Sequence, residues 1–95
     1  MDYQNEVGVK VTTNGTVVNV GNEYHDSFFD NDFYDVTIAY ISGGEVKLHN
    51  LPVLAHSIIS DNLKDDLKVG KKVILKMTVK GGNIIINTVN GKEVA

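Results

Sequence analysis

Asp26, Asp30, Asp32 and Asp35 are the densest group of chemically capable side chains in the sequence, and they are interleaved with Phe28, Phe29 and Phe33. Several carboxylates on one loop suit a hard cation, since calcium gathers many oxygen ligands from a flexible segment. The spacing does not follow the EF-hand loop, however, because Phe33 and Tyr34 fall where its alternating ligands should continue. The cluster therefore reads as a solvated acidic loop. His25, His49 and His56 lie in three separate segments, and none has a second imidazole at metal-ligand spacing. His25-Asp26 reads as a surface pair, His49 alternates with Leu48 towards solvent, and His56-Ser57 reads as the start of a turn. Cysteine is absent, which removes disulfides, thiolate nucleophiles and thiolate zinc sites. Gly70-Lys71-Lys72 lacks the upstream glycine of a phosphate cradle. With no nucleophile placed beside a base, the chain is expected not to be an enzyme, and no cofactor or metal is expected.

Binding chemistry is better represented. Residues 1–46 carry Asp2, Glu6, Glu23, Asp26, Asp30, Asp32, Asp35 and Glu45 against Lys10 alone, whereas residues 47–95 carry the remaining lysines against Asp61, Asp65, Asp66 and Glu93. Such asymmetry implies either a folded dipole that meets neighbouring copies head to tail or a basic face for an anionic partner. Arginine is absent, so bidentate recognition of phosphate or guanine is not expected. Single-stranded nucleic acid needs aromatic platforms beside a basic track; Tyr34 and Tyr40 with Lys72, Lys76 and Lys80 supply both if the fold brings them together. Phe28, Phe29 and Phe33 offer the other possibility, an anchor for a protein partner if exposed and a lid on the core if folded back.

The elements that position these residues are mostly strands. Val7, Val9 and Val11 alternate before Asn14-Gly15, and Thr16, Val18 and Val20 follow, which gives either a hairpin at Asn14-Gly15 or one long, bent strand with a bulge at Gly15. Gly21 to Phe33 is polar and turn-forming, and is expected to be the longest loop. Tyr34, Val36, Ile38 and Tyr40 share one face, and Gly43-Gly44 turns the chain into Val46 and Leu48. Pro52 marks an edge segment. Ile59, Leu63 and Leu67 recur at four-residue spacing, predicting a short helix capped by Ser60 or Asp61 and ending before Gly70. Val73, Leu75, Met77 and Val79 then form a strand joined through Gly81-Gly82 to a partner over Asn83 to Val89.

The fold class is therefore all-β, mainly antiparallel, with five to six strands and one short helix before the penultimate strand, the order of a small OB-like barrel. An SH3-like barrel or a small sandwich is the alternative. Ninety-five residues are enough for a single domain over 1–95 with its own core. No apolar run approaches the length of a membrane span. Met1 to Glu6 lack the basic and apolar regions of a signal peptide, so a cytoplasmic origin is expected.

Three stretches resemble small OB-fold proteins of bacteriophage tails and baseplates. Val46-Lys-Leu-His-Asn-Leu-Pro-Val-Leu54 resembles the exit from their second hairpin, Leu67-Lys-Val-Gly-Lys-Lys-Val-Ile-Leu75 the strand opening that follows, and Gly15-Thr-Val-Val-Asn-Val20 their opening strand. The likeness spans roughly residues 15–89. It implies a non-catalytic virion component, a hub or tail adaptor made in the bacterial host cytoplasm, that contacts other virion proteins in a multi-copy or homo-oligomeric assembly. The glycine-rich tip of baseplate spikes is lacking, and no catalytic residues carry over. The alternative in a different class is an OB-fold single-stranded DNA-binding protein of phage replication; an accessory protein that inhibits a host enzyme is a third.

Overall fold

The computed structural model describes residues 8–95, so the expectation for Val7 and the reading of Met1 to Glu6 lie outside it. The strands are β1 (Val9–Val20), β2 (Tyr24–Asp26), β3 (Asn31–Ser42), β4 (Glu45–Leu54), β5 (Lys72–Lys80), β6 (Asn83–Val89) and β7 (Lys92–Glu93), with α1 (Ile58–Leu63) between β4 and β5. All pairings are antiparallel, and the long strands lie in the order β4-β3-β1-β5-β6, with β2 beside β3 and β7 beside β6. This is the all-β, OB-like arrangement expected; β2 and β7 are short additions to its five principal strands.

β1 curls the sheet. Val9 to Thr16 pair with β5, and Gly15 to Val20 pair with β3, so that Gly15 and Thr16 alone have neighbours on both sides. Gly15 occupies this crossover because a Cβ there would lie 2.9 Å from Ile38 Cγ2, 3.0 Å from Leu75 Cδ1 and 3.2 Å from the Ala39 carbonyl oxygen. Of the two expectations for this segment, the hairpin at Asn14-Gly15 does not form and the one long strand does. A turn there would forfeit the continuous β1–β5 ladder, and the tertiary pairing overrides the local Asn-Gly preference. The strand does carry a bulge, but between Val17 and Asn19 rather than at Gly15. The Asn-Gly turn occurs instead at Asn90-Gly91, where both residues have positive φ and β6 returns into β7.

The β3–β4 and β5–β6 hairpins turn at Gly43-Gly44 and Gly81-Gly82, all four glycines having positive φ. Pro52 lies in β4, whose partner among the described residues is β3 alone; the missing N–H is tolerated at that edge. The helix begins earlier than expected. Its N-cap is Ser57, whose Oγ accepts the Ser60 N–H at 3.2 Å while Ser60 Oγ accepts the Ser57 N–H at 3.0 Å. Ser60 is thus the third helical residue, not the cap. Leu63 ends the helix, and Leu67 follows in a turn yet remains buried beside it.

Inward-facing side chains alternate along β3 and β5, and in β6 the register shift against β5 spaces buried Ile86 and Val89 three residues apart. Val17, Val36, Ile38, Val53, Leu63, Leu75 and Val89 are fully enclosed, with Tyr40, Met77 and Ile86 around them. Each such side chain contributes about 1.5–3 kcal/mol by leaving water. Among the described residues no helix is long and apolar enough to cross a membrane.

Candidate functional site

The segment expected to be the longest loop is largely a hairpin. Tyr24, His25 and Asp26 pair with Phe33, Asp32 and Asn31, leaving Ser27 to Asp30 as the turn. Asp26 is the reason the turn holds: its Oδ1 accepts the backbone N–H groups of Phe28 at 2.9 Å and Phe29 at 3.1 Å. Asn31 Nδ2 donates to the Phe29 carbonyl at 3.2 Å, and Asp30 takes a positive φ of 54° that its short polar side chain tolerates.

The two faces of this hairpin differ. On one, Tyr24 stacks near Phe33 at 6.3 Å between centroids, Phe33 meets Phe29 at 6.1 Å, and Phe29 meets Phe28 edge to face at 4.8 Å. The rings thus run from the sheet to the turn. Phe33 is partly buried, whereas Phe29 is 62 % and Phe28 86 % exposed. Phe28 and Phe29 therefore stand out in solvent and do not fold back over the core as a lid. On the other face His25 lies between two carboxylates, with Nδ1 2.9 Å from Asp32 and Nε2 3.3 Å from Asp30. Beyond the turn, Tyr24 donates to Asp35 Oδ1 at 2.7 Å, which pushes the phenol above its ordinary pKa, and Asn50 Nδ2 donates to Asp35 Oδ2 at 2.9 Å.

The four aspartates therefore divide among separate tasks. Asp26 ties the turn, Asp30 and Asp32 flank His25, and Asp35 joins β2, β3 and β4. Among the described residues no three His, Asp or Glu side chains converge as a metal site. His56, with a positive φ of 54°, forms an ion pair with Glu23 between β4 and α1. His49 departs from expectation: it pairs with buried Ile38 and is half-buried, which lowers its pKa, while Leu48 is the exposed neighbour.

Tyr34, Tyr40, Lys72, Lys76 and Lys80 do not share a surface. Tyr40 is 5 % exposed within the core and Tyr34, on the same inward face, is half-buried with its pKa raised by that burial. The three lysines are on the outward face of β5, among Ile74 and Thr78. Alternation along β3 and β5 separates the rings from the charges.

The outward sheet face holds residues that the sequence reading did not single out as a site. Ile41, Val46 and Leu48 are 66 %, 69 % and 68 % exposed, and Ile74 is 50 % exposed. Ile41 opposes Val46, Ala39 opposes Leu48, and Asn14 opposes Ile74, so the four lie on one face, on β4, β3 and β5 with β1 between. The signal available in the sequence was the failure of alternation at Tyr40-Ile41 and Val73-Ile74-Leu75, where apolar residues point both ways.

Compared with known proteins, the chain matches no family model, no curated sequence and no solved structure.

Proposed function

We propose that this chain is a non-catalytic assembly protein that docks through the β2–β3 tip onto a protein neighbour, as a hub or adaptor of a phage tail or baseplate. The observation that carries the contact is the ring pair Phe28–Phe29, exposed and meeting edge to face on a turn whose backbone Asp26 holds. Rigid aromatic side chains lose little conformational freedom on binding, and each contributes about 1.5–3 kcal/mol when a partner buries it. The phage setting comes from the resemblance over residues 15–89.

A nucleic acid is a poor occupant of the same tip. Asp26, Asp30 and Asp32 lie in the hairpin that carries it, and no lysine occurs from residue 11 to 46, so phosphates meet repulsion where bases would stack. The test is to replace Phe28 and Phe29 with Ser, confirm an unchanged thermal transition, and measure incorporation into assembled particles. The proposal expects the variant to be left out, and normal incorporation overturns it. In parallel, anisotropy of a labelled single-stranded oligonucleotide should stay flat at low salt; binding that weakens as salt rises would instead favour the DNA-binding alternative.

A further inference from the structure

We infer that the tip of one copy docks in a groove on the outward face of a second copy, so that the chain associates head to tail. This rests on the reading of the tip as a protein contact and adds its receptor.

The groove, about 540 Å³, crosses β1, β3, β4 and β5, with Ile41, Val46 and Ile74 as its apolar walls and Lys72 as its charged residue. Thr16 pairs with both Ala39 and Lys72, which places that lysine beside the apolar floor. Among the described residues no carboxylate lines the groove. The nearest acid along β4, Glu45, is held by Lys47 at 3.0 Å. Lys71 and Lys76 precede and follow Lys72 along the chain, and the sequence from Leu67 to Lys92 has no Asp or Glu. The tip offers both complements on its two faces: two exposed rings on one, and on the other Asp30 and Asp32, whose side chains flank His25 and are 91 % and 51 % exposed. Apolar surface meets apolar surface while opposite charges approach at the rim, the combination that sets register and speeds encounter.

One molecule cannot make this contact with itself. Phe33 and Ile41 lie near opposite ends of β3, about 26 Å apart along the strand at about 3.3 Å per residue. The tip and the groove are different patches, so the contact is heterologous: it closes into a ring or continues as a filament, according to the rotation between copies.

Sedimentation velocity over a concentration series tests the inference on wild type, on the tip variant F28S/F29S and on the groove variant V46E/I74E, whose new carboxylates would face the acidic tip. Thermal transitions of all three establish that each is folded; the substituted positions are exposed. Wild type should associate with rising concentration and less so with rising salt, and each variant should weaken association roughly 100-fold. Mixed in equal amounts, the two variants should recover a dimer that grows no further, since the mixture retains one intact tip and one intact groove. A wild type that stays monomeric at every concentration, a variant that associates like wild type, or a mixture that remains monomeric would each overturn the inference. If wild type is monomeric but a photoreactive residue at position 28 still captures a different protein, head-to-tail docking fails and the tip's role as a contact stands. If it captures nothing, both fail.

Discussion

Asp26 and Phe28 are joined by a hydrogen bond of 2.9 Å from the Phe28 N–H to the Asp26 carboxylate, which also accepts from Phe29. The bond links an acidic residue that looks like a ligand to an aromatic residue that looks like an anchor. Its consequence is mechanical, because it fixes the backbone from which both rings project.

Replacing Asp26 with Ala should therefore loosen the tip without unfolding the sheet. Loss of the two turn bonds costs on the order of 1 kcal/mol locally, and the core residues lie elsewhere. Amide hydrogen exchange should accelerate at Phe28 and Phe29 while β1 and β5 remain protected. Equal acceleration across the whole sheet would contradict this role.

Gly15→Ala tests the curl of β1. The added methyl would meet Ile38, Leu75 and the Ala39 carbonyl oxygen, and overpacking of this kind costs about 1–3 kcal/mol. The urea midpoint should fall with no change in slope, because the denatured chain exposes the same surface. A midpoint equal to wild type would show that the two core side chains move aside freely.

The same Asn-Gly pair explains how much of the fold could be read in advance. At Asn14-Gly15 the local signal favoured a turn, but both residues stand inside a ladder with β5, and those distant partners cannot be seen in a short window. At Asn90-Gly91 the signal was honoured because β6 ends there. Alternation placed Val36, Ile38, Tyr40, Val73, Leu75 and Met77 on their buried faces correctly. It also implied that Tyr40 is unavailable to a strand of nucleic acid, a consequence that emerges only once the lysines of β5 are placed on the opposite face. The residues of the tip were legible as an aromatic cluster, whereas their exposure depended on Asp26 and Asn31 ordering a short hairpin out of a polar segment.

A pH dependence follows from Asp66, which draws the short terminal strand onto the barrel. Its carboxylate accepts Lys92 Nζ at 2.6 Å and Asn90 Nδ2 at 2.8 Å, and these bonds, Lys92 first, hold its pKa below the usual carboxylate value. A depressed folded-state pKa contributes stability that is present above the unfolded-state value, about 4, and is lost as pH falls through the folded-state value. Denaturation midpoints should therefore drop on acidification below about pH 4 more steeply in wild type than in Asp66→Asn. Parallel profiles for the two proteins would remove Asp66 from the acid response.

The central claim, that the ring pair at the β2–β3 tip is a protein contact, is tested most directly by placing the photoreactive residue p-benzoylphenylalanine at position 28 in cells that produce the protein, with exposed Glu93 on β7 as the comparison site. Illumination should give a discrete polypeptide adduct from position 28 that position 93 does not give, and mass spectrometry should place the captured residue in a protein chain. No adduct at position 28, equal labelling from both positions, or capture of nucleic acid would contradict the claim.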